Sequence, residues 1–399
     1  MRTKHAAHSF PAFPVYSAAF VGYNELVLGG GGGATRSGIK NKLRLYRVEN
    51  EKSLDLLDEY EFAMNEDVPM SMAAHPKTKA IVCGVNSSHE KMLRGENENC
   101  RMLSVKDKKF KLESANGTIP PEDEEEYQRA TSFSEDGNFV AAAGQHHLSV
   151  LSYPSMSRAT KDVHISDDEI YDVSFSSSSL VLTLTKGLRV YDLPKDISVS
   201  QESKKGKEKE VPLPDLALAQ TIKRPTLPGA ESYNVSYRAA RFKPGSNKII
   251  YSAINSAPPR GKGKAPPRRA YVCTIQGDKS GWTVEKKRKV SDGSITVFDV
   301  SLDGRFLAYG SSDLSIGLLD ATTLAPLLTI LRAHELPPTA LRFNPPSKLL
   351  ISGSADNTLR VIEVPEFSGG GWGTFILILL ALFVILFAVA TQLYISGRI

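Results

Sequence analysis

Gly29 to Gly33 form an unbroken glycine run, and Gly38, Lys40, Asn41 and Lys42 follow closely. Glycine backbone can cradle a phosphate and a nearby lysine can neutralise one, so nucleotide binding is the first chemistry to weigh. The P-loop pattern requires Lys directly after its second glycine, then Ser or Thr. Gly33 and Gly38 have the right gap, but Ile39 intervenes before Lys40, and Asn41 stands where the hydroxyl should be. The dinucleotide pattern can be laid on Gly29, Gly31 and Ala34, yet it must open a helix whose N-terminus faces the pyrophosphate. Strand-like sequence follows instead, with Leu43, Tyr46 and Val48 set among Lys42, Arg44 and Arg47. The stretch does not read as a nucleotide pocket.

Other reactive residues are scattered. Cys83, Cys100 and Cys273 include no CxxC pair, and the first lies in the apolar run Ile81-Val-Cys-Gly84, where a buried, inert thiol is expected. His146 and His147 precede a strand and have no metal-spaced partner, which predicts a turn role. Ser176 to Ser179 is a turn, and no GxSxG elbow occurs. An enzyme would have to assemble its groups from distant positions.

Taken residue by residue, the glycine-rich stretch resembles the catalytic loop of the exchange factors for the Sar-family small GTPase. These are endoplasmic reticulum proteins that start COPII coat assembly, and the animal member is called prolactin regulatory element-binding protein. The resemblance rests on Gly30 to Gly33, Gly38, Ile39, Asn41, Lys42 and Leu43, in the order glycine run, polar insert, Gly-Ile, one residue, Asn-Lys-Leu. It implies guanine nucleotide exchange without covalent chemistry, a Sar-type GTPase as partner, and neither nucleic acid nor a small-molecule substrate. It implies that Gly38, Ile39 and Asn41 carry the activity, Ile39 being an apolar tip that enters the partner. It also implies a potassium ion shaping the loop, with Gly38 and Asn41 near it. A fifth glycine and the basic residues Arg36 and Lys40 depart from the family pattern and leave the ion ligands open. A membrane-tethered scaffold without exchange activity is the alternative, since fold alone does not settle function.

The elements that would position this loop are strands. Leu28 ends one apolar run, and Leu43 to Val48 make a second strand with one wet face. Farther on, Phe133-Ser-Glu-Asp-Gly137 recurs as Val300-Ser-Leu-Asp-Gly304, and more loosely from Phe343 and from Phe242. The spacing of these copies approaches the roughly 40–45 residues of a WD40 blade. His334 and Asp356 stand where such repeats buttress a turn. The sequence therefore predicts an all-β, seven-bladed WD40-type propeller over 1–367, bearing the loop 29–42. Blades start near Val15, Ser71, Arg129, Tyr171, Arg238, Ile295 and Thr339, and residues before Val15 supply the strand the last copy lacks. Ser87 to Asn99, Lys195 to Asp215 and Ala257 to Arg269 are polar insertions, the third a basic loop read as solvated. The acidic run Glu122 to Glu126 is expected to keep a turn soluble.

A net charge of +5, spread along the chain, gives no argument for nucleic acid. Three cysteines fit a reducing compartment, and Met1 to Pro11 lack the apolar core of a signal peptide. Thr374 to Ile395 is almost wholly apolar, the expected length for one C-terminal transmembrane helix. Residues 368–373 read as a tether, with Trp372 at the headgroup level, and 396–399 as a short luminal tail. That predicts a single-pass protein of the endoplasmic reticulum membrane with its propeller in the cytosol. The acceptor patterns at Asn86, Asn116 and Asn234 would then be unused.

Overall fold

The computed structural model describes residues 4–34, 38–121, 126–194, 212–259, 266–366 and 371–395, the last of these with side chains over 378–392. Its strands form seven four-stranded sheets, each antiparallel throughout and each a propeller blade. The inner strands begin at Val15, Ser71, Ala130, Ile170, Asn234, Ile295 and Pro338, each within four residues of the start read from the repeats. The middle strands are apolar on both faces because each blade is sandwiched between two others. Ser179–Leu184 and Phe306–Ser311 are buried along their whole length. Outer strands have one wet face, and Asp55–Glu61 is a mixture of exposed and half-buried residues.

The ring closes as expected. His5–Ser9 pairs with Thr358–Glu363, His5 opposite Ile362, and so completes the last blade with the first strand of the chain. Beside this seam Phe13, Val15, Leu26 and Leu28 pack against Ile351, Leu359 and Val361. Closure covers the edge that the Thr358–Glu363 strand would otherwise leave unpaired.

The repeated turns share one device. Ser134 Oγ donates to Asp136 Oδ1 at 2.6 Å, and the same carboxylate oxygen accepts the Asn138 N–H at 3.0 Å. Ser301 and Asp303 reproduce the arrangement at 2.6 Å, with the Arg305 N–H at 3.1 Å. His334 is structural: its Nδ1 is 2.8 Å from Thr358 Oγ1 and its Nε2 is 2.9 Å from Ser352 Oγ. Asp356 braces the same turn by accepting the Glu335 and Thr358 N–H groups at 2.7 and 2.9 Å.

Several expectations change. The strand expected to end at Leu28 runs from Glu25 to Gly30, so the first two glycines belong to the sheet. Glu126, expected in a soluble turn, is 1 % exposed, and its carboxylate accepts the His146 N–H at 2.8 Å. His146 does brace a turn, with Nδ1 3.0 Å from the Ile165 carbonyl. His147 instead lies inside the strand His147–Ser152, its Nδ1 3.0 Å from Glu126 Oε2. The insertion after Ser87 contains a short helix, α1 (His89–Met92), and is anchored by buried Asn86, Asn97 and Asn99. All three cysteines are buried and free; burial pushes the Cys100 and Cys273 thiols up to about 12 and raises Cys83 further. Arg36, the acidic residues 122–125, the lysine-rich stretch 195–211, the basic segment 260–265 and the tail 396–399 lie outside the described residues.

The chain divides into two compact units, Met1–Glu363 and Val364–Ile399. The second contains α2 (Gly371–Ile395), a helix of 25 residues, and side chains 378–392 are exposed. Among the described residues no helix is long and apolar enough to cross a membrane. The membrane span expected at 374–395 is therefore not met there. The run with described side chains covers only about 22 Å at 1.5 Å per residue, short of the roughly 30 Å hydrocarbon core.

Candidate functional site

The glycine-rich loop joins the second and third strands of the first blade, Glu25–Gly30 and Lys42–Arg47. Antiparallel pairing within the blade puts that connection on the face where the inner strands begin. The crossing from this blade to the next, Phe62 to Met70, returns to the same face and lies against the loop.

Two glycines are needed here for steric reasons. Gly30 passes against the Pro14 carbonyl and the Phe13 ring, and Gly31, at φ +144°, lies where a Cβ would stand 2.6 Å from Asn41 Cα. A side chain at Gly30 would collide with the segment before the inner strand, and one at Gly31 would push the two ends of the loop apart.

Asn41 is the clamp. It is buried, 7 % exposed, and its Oδ1 accepts the Gly33 N–H at 2.9 Å. Its Nδ2 donates to the Gly33 carbonyl at 3.1 Å and to the Glu66 carbonyl at 2.8 Å. Its own carbonyl accepts the Phe62 N–H at 3.0 Å. One amide thus ties the two ends of the loop to each other and to the crossing beneath. Glu66 is held in turn: Oε1 meets Arg101 Nη2 at 2.8 Å, both side chains buried, and Oε2 accepts the Ala63 N–H at 3.0 Å. The Arg101 Nε donates to the Glu98 carbonyl, which carries the support into the second blade.

Ile39 is half-buried, where the sequence suggested an exposed tip, and Gly38 is exposed at φ +76° with open space around the position of a Cβ. Gly38 and Asn41 therefore differ: one stands clear of its surroundings, the other is drawn into the fold. Lys40, one of the residues that depart from the family pattern, pairs with Glu61 at 2.7 Å on the surface. Lys42 and Arg44 meet Glu59 at 2.9 and 2.6 Å, so the neighbouring strand Asp55–Glu61 neutralises the basic one. Exposed pairs of this kind contribute little stability.

Sequence reasoning missed Asp67. This half-buried carboxyl lies beside the Gly33 turn, its Oδ1 3.3 Å from where a Gly33 Cβ would stand. Burial raises its pKa, and the N–H groups of Val68 and Ala34 offset that only in part. No cluster of three His, Cys, Asp or Glu side chains suited to a metal occurs among the described residues. A potassium ion, though, takes carbonyl and carboxylate oxygens. Asp67, though it also accepts the Val68 N–H, offers carboxylate oxygen beside the Gly33 turn, while Asn41 Oδ1 is a neutral amide oxygen that accepts the Gly33 N–H. The residues present fit such an ion, with Asp67 closer to its chemistry than the side chain of Asn41.

This architecture, seven four-stranded blades closed by the N-terminal strand, defines a β-propeller of the WD-repeat class. The family described as WD domain, G-beta repeat matches residues 325–363, the outer strand of the sixth blade and three strands of the last. Over most of its length the chain is similar to proteins named SEC12, and it is a divergent relative of them. SEC12-like protein 2 of Arabidopsis thaliana is 25% identical over 341 residues, 83% of this chain and 74% of that protein. The guanine nucleotide-exchange factor SEC12 of Candida glabrata is 24% identical over 376 residues, 89% of this chain and 71% of that protein. Among solved structures, Raptor of Chaetomium thermophilum aligns with a TM-score of 0.64 at 11% identity, over 92% of this chain and 29% of that one. That likeness concerns the fold alone. These similarities span 83–89% of the chain, far more than the loop alone.

Proposed function

We propose that this chain is a guanine nucleotide exchange factor that promotes GDP release from a Sar-type small GTPase at the endoplasmic reticulum membrane and so starts COPII coat assembly. The observation that carries the reading is the Asn41 clamp, which presents Gly38 and Ile39 from a rigid propeller face in a chain similar to SEC12. Exchange requires no bond to be made or broken. A GTPase holds its nucleotide with phosphate-binding backbone, Mg²⁺ and ordered switch segments. A protein that binds the nucleotide-poor conformation more tightly than the loaded one shifts the population toward release. A pre-shaped loop suits this task because little ordering entropy is lost when it docks. In this reading Ile39 completes its burial in the partner, and Asn41 keeps the loop in the shape that allows it.

A potassium ion belongs to the same proposal. It would be held by Asp67 and carbonyls of the Gly33 turn, and would supply fixed positive charge that keeps the loop's oxygens together. The anchor is proposed as well: the backbone of α2 spans 25 residues, about 37 Å of helix, in a stretch that is nearly all apolar.

The experiment is catalysed release of a fluorescent GDP from a purified Sar-type GTPase. Acceleration that saturates with GTPase concentration is expected, and a rate equal to the uncatalysed one overturns the exchange reading in favour of a scaffold. Replacing potassium by sodium or lithium at fixed ionic strength should slow exchange, and equal rates would remove the ion. Protease added outside sealed microsomes should digest the propeller, and its protection would reverse the topology.

A further inference from the structure

The central channel contains a ring to which every blade contributes one residue: Tyr16, Met70, Arg129, Tyr171, Arg238, Thr296 and Thr339. In five blades that residue is the extra one of a β-bulge, since the pairing of the inner strand skips positions 16, 171, 238, 296 and 339. A bulge re-aims one side chain, and here it does so at the same level around the axis. Met70 and Arg129 occupy that level immediately before their strands.

The charges in the channel do not balance. Its walls carry Arg129, Arg238, Arg241 and Arg342 against Asp172. The two deeper arginines are engaged: Arg241 meets Asp172 at 2.8 Å and donates to the Val173 carbonyl at 2.6 Å. Arg342 donates to the Leu341 carbonyl at 2.8 Å and lies 3.9 Å from Asp299. At the ring the position differs. Arg129 pairs with Glu169 at 3.0 Å and donates to Gln145 Oε1 at 2.6 Å, while its Nε is buried without a partner. Arg238 has no hydrogen-bond or ion-pair partner among the described residues, only the face of Tyr171, 5.1 Å from its guanidinium carbon. Arg129 approaches the same ring at 5.7 Å. Burial lowers the pKa of Arg238, Asp172 and the tyrosines offset part of this, and Arg129 adds to the lowering. Two cations on one tyrosine repel each other, and an arginine stays charged rather than escape by losing its proton.

We propose that this ring is a binding site for one compact phosphate-class oxyanion, held by Arg238, with the hydroxyls of Tyr16 and Tyr171 completing its shell and the Arg129 guanidinium adding positive charge beside it. The cavity of about 120 Å³ has room for such an ion with a few waters. Donors that converge from separate blades suit a tetrahedral anion better than a planar carboxylate, which prefers one bidentate fork. The threonines do not compete, since Thr296 Oγ1 donates to the Pro338 carbonyl at 2.7 Å and Thr339 Oγ1 to the Val15 carbonyl. The ring opens on the same face as the glycine-rich loop, so a bound anion would lie beneath whatever docks there. The inference does not depend on the exchange reading.

The test is ³¹P NMR titration of the protein with inorganic phosphate at fixed ionic strength, with methyl phosphate in parallel and acetate added as a competitor of bound phosphate. Saturable phosphate binding is expected, with acetate at least tenfold weaker. Arg238→Gln should weaken phosphate binding about tenfold or more, the loss expected for one charge-assisted contact. Equal binding of methyl phosphate identifies an esterified phosphate as an admissible source, and its exclusion identifies the free ion. Absence of saturable phosphate binding overturns the proposal, as does undiminished binding by a folded Arg238→Gln protein. Should that variant fail to fold, Arg238→Lys keeps the charge without the fork. It is expected to bind at least fivefold more weakly, and wild-type affinity there overturns the proposal equally.

Discussion

Asn41 and Gly33 exchange two hydrogen bonds across the neck of the glycine-rich loop, side-chain oxygen to N–H at 2.9 Å and side-chain nitrogen to carbonyl at 3.1 Å. The pairing copies the reciprocal bonding of two backbone residues in an antiparallel ladder, with one backbone replaced by an amide side chain. It closes the loop eight residues after Gly33 and fixes the ends of a segment that its glycines would otherwise leave free. The Glu66 carbonyl, 2.8 Å from Asn41 Nδ2, ties that neck to the next blade.

Asn41→Ala should therefore reduce both exchange and stability. The resemblance implied that this residue carries activity, and its burial gives it a part in the fold as well. Truncation leaves the Gly33 N–H and the Gly33 and Glu66 carbonyls without their partner, a cost of about 1–3 kcal/mol. A lower urea midpoint, faster amide hydrogen exchange at Gly33 and at least a tenfold loss of catalysed GDP release are expected. An unchanged urea midpoint would show that the clamp does not hold the loop.

Ile39→Ala should separate the two effects. Full burial of an isoleucine stabilises by about 1.5–3 kcal/mol, and Ile39 is already largely covered, so at most about a third of that remains to be gained in a partner. Exchange should fall about two- to fivefold, with the melting temperature nearly unchanged. A lower melting temperature with a wild-type release rate would assign Ile39 to packing within the loop.

Arg101→Met tests the support beneath the loop. Arg101 and Glu66 form a buried pair at 2.8 Å, and removing one partner leaves the other charge uncompensated. The loss should be about 3–5 kcal/mol by urea unfolding. Adding Glu66→Gln should recover part of it. If the double variant is as unstable as the sum of the two single ones, the residues are not coupled.

His334 predicts an acid limb of stability. Desolvation holds its pKa at about 4 in the folded protein against 6.5 for a free histidine, and the nearby Asp356 carboxylate offsets only part of that. Between these values the unfolded chain binds the proton and the folded one does not, so stability falls as the pH drops from about 6.5 to about 4. The full contribution is on the order of 3 kcal/mol, present above pH 6.5 and lost by pH 4. His334→Gln should flatten this limb of the unfolding free energy, and an unaltered pH slope would show that the histidine is not held neutral.

The amino-acid order determined the ring and its closure. Strand, polar turn and apolar strand recur around Phe133, Phe242, Val300 and Phe343, and each pattern lies within a dozen or so consecutive residues. The strand at His5–Ser9 was legible because the last repeat stops one strand short. The loop was legible from its glycines and the Gly-Ile and Asn-Lys-Leu that follow. Only the tertiary structure decided what those residues do. Asn41 meets Glu66, 25 positions on, and Glu66 meets Arg101, 35 positions farther. No periodicity links such residues; a buried polar group takes whatever partner the packing brings to it. Asp67 beside the Gly33 turn, Glu126 turned inward against His147, and Arg238 facing Arg129 across Tyr171 arise in the same way. Seven blades must meet around one axis before their side chains acquire neighbours, and only that meeting determines which charges are left unbalanced.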